Sequence, residues 1–501
     1  MFLSRVVGSV LIGVAGSLAA AQAPASADDA PVQGVAVVAK SKSWRQVAIA
    51  DIERAHALVR EAHPGVLDGD EHFRAWFAEG HRSALALAAR ANSAERAWAA
   101  LQFYLAGYRD GHLAALREQP LATQARWAGW TVQYRNGAYR VVKVAATWPV
   151  PTPSVGDAVL SCDGVETGAL LARRVAPFVD RRVELDATRS RLAVHLTNQW
   201  AWEATWDPLR PRRCVVRAAS GRTREYALVW SISNHGLSGL YPPAPAQGIA
   251  RLASGTYWVH ASDFMPSGQV GLDALVDRLG ALGDAEAIVL DSRGNGGGNS
   301  GIGDRLVQAL LKERTPVSSS GAAAYWRVSP VARRTLEKHK ALVEPLEGPA
   351  GHTSKWLARL LEDLDTAARN GEPFFKQMGS TADSREPPRD ATFRGKLVLV
   401  TDSHCASACL DFADLVRRVP NAVHAGASTS GDTRYMDVAV EPLPSGATLW
   451  LPLKVWHDRP RGDNQPLHPH FPFDGDITDT AAVQAWVEQA VLPKTHRVQA
   501  E

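Results

Sequence analysis

The chain has 501 residues, 46% apolar and 21% charged, with 55 Lys and Arg against 52 Asp and Glu for a net charge of +3. That length implies two or three domains with sizeable cores, and that composition excludes a disordered chain. The near-balanced charge argues against nucleic acid as a partner, because a phosphate-binding surface needs a concentrated basic field. The basic cluster Arg210-Pro-Arg-Arg213 is short and sits beside acidic and aromatic residues.

Arg5 precedes the apolar run Val6 to Ala15, and Ala25-Ser-Ala27 ahead of Asp28 is a small-x-small cleavage pattern, with a second one at Ala19-Ala-Ala21. Residues 1–27 therefore read as a secretory signal peptide. The run is too short to span a bilayer comfortably, and no later segment reaches about 18 unbroken apolar residues. The expected localisation is secreted or periplasmic, with no membrane span after signal removal.

Over residues 44–120 apolar positions recur at helical spacing, as in Ile52, Ala55, Leu58, Val59 and again Ala97, Leu101, Tyr104, Leu105. This predicts an N-terminal helical domain broken at His63-Pro64-Gly65 and Asp68-Gly-Asp70. Residues 126–232 instead alternate in short runs such as Trp130 to Tyr134, Tyr139 to Val144, Ala158 to Ser161 and Cys214 to Arg217. Asn136-Gly137, Asp163-Gly164 and Ser220-Gly221 punctuate them, so a β-rich module is expected, with one helix near Ala169 to Val175. The proline-rich stretch Tyr241 to Gly248 reads as a linker or strand crossing.

Residues 249–494 alternate strands and helices. Strands are expected at Thr256 to Val259, Ala287 to Asp291, Lys396 to Thr401 and Ala422 to Ala425, and helices near Val270 to Leu282, Ile302 to Leu311 and Ala408 to Val416. Fully apolar strands between helices imply an α/β core with a covered sheet. Residues 331–371 look like a helical insertion and Met378 to Arg389 like a polar loop, together an insertion at about 331–389.

Four cysteines fall into two separated couples, Cys162 with Cys214 and Cys405 with Cys409, and the sequence leaves their connectivity open. Neither Cys-x-x-Cys nor His-Glu-x-x-His occurs, so no metal or cofactor is called for. His468 and His470, on either side of Pro469, read as a loop, and Lys454 as a solvated strand residue.

Chemistry is concentrated in three places. Asp291-Ser-Arg-Gly-Asn-Gly-Gly-Gly-Asn299 follows an apolar strand and precedes a helix, where glycines let backbone amides approach a bound group. It lacks dinucleotide-fingerprint and phosphate-loop spacing. Thr401-Asp-Ser-His-Cys-Ala-Ser-Ala-Cys409 also joins a strand to a helix. It puts Ser407 where helix N-terminal amides favour a developing oxyanion, although an isolated serine there is more often a helix cap. Cys405 and Cys409 leave two chemistries open, a thiol nucleophile or a disulfide bracing the turn. Asp110-Gly111-His112-Leu113 ends the helical domain with a histidine after a turn.

In this order these residues resemble the tail-specific, or C-terminal processing, serine peptidases and their tricorn-like relatives. Leu290 to Gly298 is similar to the family's Asp-x-Arg-x-Asn-Gly-Gly-Gly turn, and Cys405 to Cys409 to its nucleophile segment. Gly156 to Gly164 resembles a degenerate part of its PDZ domain, without the usual carboxylate-binding loop before Trp130. The resemblance implies a crotonase-like α/β core, with an N-terminal helical domain and a PDZ-like β-rich module. It further implies peptide hydrolysis through an acyl-enzyme on Ser407, with an oxyanion hole from the amides of Ala408 and Gly296 or Gly297.

No lysine lies between Ser407 and Lys454, and Ser430-Gly-Asp-Thr433 stands where the processing branch carries its lysine. The tricorn-like branch instead takes a histidine base from the helical unit, and His112 occupies that position. Asp463, followed by Asn464, resembles the acidic segment that orients the base, with Asp110 and Asp432 as alternatives. The expected partner is a polypeptide substrate, unfolded or short. The rival reading is a non-catalytic ligand- or peptide-binding protein on the same core, for which the 16 Trp residues would line pockets. An esterase is a weaker third reading, since no Gly-x-Ser-x-Gly surrounds Ser407.

Overall fold

The computed structural model describes residues 43–121, 124–200, 204–240, 247–265, 271–311, 322–377, 393–419 and 421–494. The expected signal peptide at 1–27, most of the expected 241–248 linker and the expected polar loop at 378–389 lie outside the described residues. The chain forms two units, Leu18–Tyr241 with Val438–Leu453, and Pro242–Asp437 with Lys454–Glu501.

The first unit begins with three helices, Trp44–Ala62, Glu71–Ala88 and Ala94–Ala106, joined by one short turn of helix at Gly65–Asp68. Each long helix starts where a short polar side chain accepts from a backbone amide of the first turn. Ser43 does so with Gln46 in a capping box, Asp70 with Phe73 and Ser93 with Arg96. Their facing stripes bury Ile52, Ala55, Leu58, Val59, Leu101, Tyr104 and Leu105, the positions whose 3.6-residue spacing predicts them.

An antiparallel sheet follows, ordered Trp130–Arg135, Ala138–Val144, Ala158–Cys162, Arg213–Arg217, Thr223–Ala227. It closes over Trp130, Val132, Val141, Leu170, Leu171 and Val216. Cys162 and Cys214 face each other across two strands and are disulfide-bonded, with 4.0 Å between their α-carbons.

The second unit is built on a six-stranded sheet. Its strands, in spatial order, are Gly248–Arg251, Tyr257–His260, Ala287–Asp291, Lys396–Thr401, Ala422–Gly426 and Phe471–Pro472. The first pairing is antiparallel and the rest are parallel. Successive side chains point to opposite faces. Ile288, Leu290, Leu397 and Leu399 therefore pack on the helices Leu272–Gly280, Ser300–Leu311 and Ala408–Val416, while Val289, Val398 and Val400 pack on Val483, Val487 and Val491. Both faces are covered, which is why these strands read as unbroken apolar runs.

The 331–371 stretch forms two helices packed on each other, Pro330–Glu347 and His352–Arg369. Beside them the strand Ala323–Arg327 pairs with Phe374–Lys376 on one side and with the end of Thr448–His457 on the other. Lys454, expected to be solvated, lies on that last strand and is 2% exposed. The expectation rests on alternation along the strand, but Leu451 to Val455 are buried without a break because both faces of this segment are covered. Lys454 contacts the Asp437 carboxylate and lies between the rings of Trp326 and Trp456, at 5.4 and 5.2 Å from their centroids. Burial pushes its ammonium down to about 7.

Candidate active site

Asp291 pairs with Val400 in the parallel register, so the glycine turn and the serine turn leave the same edge of the sheet from adjacent strands. Such carboxyl edges are where open α/β sheets place ligands. The two turns are tied together by hydrogen bonds. Ser292 N–H donates to Val400 O at 2.9 Å, Gly294 N–H to Asp402 Oδ2 at 3.0 Å, and Ala406 N–H to Asn295 O at 3.3 Å.

Asp291 is an anchor of the glycine turn. It accepts from Trp258 Nε1 at 2.9 Å and from Arg293 Nε and Nη2 at 2.8 and 2.7 Å. Burial alone would raise its carboxyl, but the Arg293 guanidinium, with His260 and Trp258, holds it well below the usual carboxylate range. Asp402 is likewise buried and likewise held low, by His404 and by backbone amides of Gly294 and His404. Its charge in turn raises His404, whose Nδ1 lies 3.2 Å from Asp402 Oδ2.

Ser407 stands immediately before the Ala408–Val416 helix with φ 54° and ψ −124°, and its side chain makes no capping hydrogen bond. A helix-cap role is thereby set aside. A non-glycine residue at positive φ costs on the order of 1–3 kcal/mol and persists only where its surroundings enforce it, as in strained nucleophile turns. Two constraints are visible. Cys405 and Cys409 are disulfide-bonded around the serine, and both are fully buried. Gly297, at φ 99°, brings its backbone against the serine turn.

Of the amides in the turn, Gly297 N–H is bound to Asn295 Oδ1 at 2.9 Å. Gly296 is exposed, and the Ala408 amide is the first of the helix. Ser300 Oγ donates to Asp411 Oδ2 at 2.9 Å, linking the helix after the glycine turn to the helix after Ser407. Burial raises Asp411, partly offset by Arg461, and burial with the Asp411 charge pushes Asp304 up to about 7.

The acidic candidates have different surroundings. Asp432 is buried under two guanidiniums, Arg459 at 3.0 Å and Arg461 closer still. Asp463 accepts from the Arg434 amide at 2.7 Å, with Arg434 Nε and Arg459 Nη2 each 3.7 Å from its carboxylate. In the other unit, Asp110 Oδ1 accepts the His112 amide at 3.0 Å and lies 3.8 Å from His112 Nδ1. That ring nitrogen is shielded from solvent and has no hydrogen-bond partner.

Three participants escape sequence reasoning. His404 and Asp402 stand inside the serine motif, where nothing in the spacing singles them out. His63 reads only as a helix break, yet its ring is fully buried against Asp110. Among the described residues no group of three or more His, Cys, Asp or Glu side chains is arranged to hold a metal. His470 Nδ1 accepts the His424 amide at 3.1 Å, and His468 Nδ1 lies 3.0 Å from Ser428 Oγ.

Residues 257–471 match the model of peptidase family S41. The match takes in the glycine turn, the serine turn and the central strands of the sheet that holds them, and together with the solved structures it supports a serine-type peptidase. Solved structures agree on the fold. The chain is similar to mature CPAF, with 14% identity over 86% of this chain and 93% of that one and a TM-score of 0.57. A second structure, mature CPAF complexed with lactacystin, gives 15% identity over 86% and 94% with a TM-score of 0.55. Comparison with curated protein sequences returns no match. Among the described residues no helix is long and apolar enough to cross a membrane.

Proposed function

We propose that the protein is an exported serine peptidase of family S41 that cleaves unfolded or short polypeptides through an acyl-enzyme on Ser407, with His112 as general base. The observation that carries the reading is the strained backbone of Ser407 at a helix start, with no capping bond to account for it. In this scheme neutral His112 takes the hydroxyl proton as Ser407 attacks the scissile carbonyl. The tetrahedral oxyanion is met by the amides of Ala408 and Gly296, aided by the helix N-terminus. The imidazolium returns the proton to the leaving amine, and water then deacylates the serine by the same base.

Asp110 is the favoured orienting carboxylate, since it faces His112 Nδ1 at 3.8 Å. Asp463 is the alternative, and the Asp110→Asn and Asp463→Asn variants separate the two. On this reading the six-stranded unit is a crotonase-like core, and the 126–232 module is PDZ-like. Residues 1–27 direct the protein to a secreted or periplasmic location.

The test is hydrolysis of a reduced, denatured polypeptide by the purified mature protein. Cleavage that disappears in both Ser407→Ala and His112→Ala is expected. Cleavage retained in Ser407→Ala removes the proposal, and a folded protein that binds peptides without cutting them favours the ligand-binding alternative.

A further inference from the structure

One buried histidine has no part in the scheme above. His63 closes the Trp44–Ala62 helix, donating its backbone N–H to Val59 O, and its side chain is fully buried. Its Nδ1 accepts the Gly65 amide at 3.0 Å. The ring proton therefore sits on Nε2, which is 3.3 Å from Asp110 Oδ2. The other oxygen, Oδ1, accepts the His112 amide at 3.0 Å and faces His112 Nδ1 at 3.8 Å. Phe73 stacks on the His63 ring at 4.9 Å, which fixes its plane.

A carboxylate that is 1% exposed would take up a proton unless hydrogen bonds favour its charged form. Burial does push Asp110 up, and the His63 bond is the strongest influence bringing it back below its ordinary value, followed by the charge of His112 and His63 and the His112 amide. The other charged groups around this loop are already engaged. Arg182, whose guanidinium is 3.1 Å from where a Gly111 β-carbon would sit, is held by Asp180 at 2.8 and 2.9 Å, and Arg109 pairs with Glu184.

We propose that His63 is a positioning residue. It holds Asp110 charged and aimed at the Nδ1 side of His112, so that the opposite ring nitrogen is free to act as base. The Gly65 amide fixes the tautomer that makes this possible. The inference rests on the His112 reading above, but part of its test is independent of activity.

The experiment compares His63→Leu, which removes the donor, with His63→Gln, whose amide N–H keeps one, in the full mature chain. Two quantities are read. One is the rate of fluorophosphonate labelling of Ser407 across pH. The other is the titration of the Asp110 carboxyl by NMR with carbon-13 aspartate, assigned with Asp110→Asn. In His63→Leu, labelling at neutral pH is expected to fall at least tenfold and Asp110 to titrate at least one pH unit higher. His63→Gln is expected to restore most of each.

Unchanged labelling and unchanged Asp110 titration in His63→Leu would overturn the proposal. Equal losses in Leu and Gln variants with Asp110 unmoved would also overturn it, assigning His63 a packing role only. If His63→Leu does not fold, His63→Asn, whose shorter amide cannot reach Asp110, takes its place against Gln. Should His112→Ala label like wild type, the base assignment fails, while the Asp110 titration still decides whether His63 controls that carboxylate.

Discussion

Gly297 and Ser407 are in backbone contact: a β-carbon placed on Gly297 would lie 2.8 Å from the Ser407 β-carbon, 2.7 Å from Ala406 O and 3.1 Å from the Ala408 amide. The glycine turn thus presses on a non-glycine residue held at positive φ. Gly297→Ala has no room and the wrong φ, since 99° is a region that side chains avoid. We expect it to lower Ser407 labelling by about a hundredfold and global stability by about 1–3 kcal/mol. Gly137, with φ 74° and nothing within 4 Å of where its β-carbon would sit, serves as the control, because Gly137→Ala should leave labelling unchanged.

The two disulfides predict opposite phenotypes. Cys162–Cys214 joins residues 52 apart, and its loss costs about 4 kcal/mol by loop-closure entropy, with little direct effect on the serine turn. Cys405–Cys409 spans only 4 residues, so its loss constrains the unfolded chain far less, but it brackets Ser407. The Cys405→Ala/Cys409→Ala double variant should therefore label at least tenfold more slowly with a small change in Tm. The Cys162→Ala/Cys214→Ala variant should show a large fall in Tm and near-normal labelling below it.

Much of the second unit is legible in the sequence because its strands are covered on both faces. Ala287–Asp291 and Lys396–Thr401 are dominated by apolar runs, and Ala408–Val416 follows small residues at a helix start. The serine and glycine turns are legible as motifs, since strand, turn and helix follow each other within a few residues. Contacts between distant segments are not. Nothing near His63 says that Asp110, 47 residues later, will accept its Nε2 proton. Lys454 escapes for the same reason, since its burial depends on Trp326, far upstream in the chain, and on Asp437.

Lys454 offers a direct check on that burial. Removing one partner of a buried ion pair leaves an uncompensated charge, costing about 3–5 kcal/mol. Lys454→Met is expected to lose that much by urea denaturation. Adding Asp437→Asn, which keeps a residue tolerant of the 59° φ at that position, should recover most of it. An unaffected single variant would mean the lysine reaches solvent.

Acid stability follows from Asp180. Burial would raise its carboxyl, but Arg182 holds it down at about 2 against 3.8. A depressed carboxylate contributes stability above its unfolded value, and that contribution is lost as pH falls through the folded value. The window runs from about pH 4 to pH 2, and the contribution is about 2 kcal/mol. Asp180→Asn should be less stable than wild type at pH 6, with the difference shrinking toward pH 2. A constant difference across that range would show that the charge is not the cause.

The most direct test of the central claim is mapping of a fluorophosphonate adduct by peptide mass spectrometry on folded wild type and His112→Ala. The account predicts a single adduct on Ser407 in wild type and its loss in His112→Ala. An unmodified Ser407, or an adduct that forms equally well without His112, would contradict it.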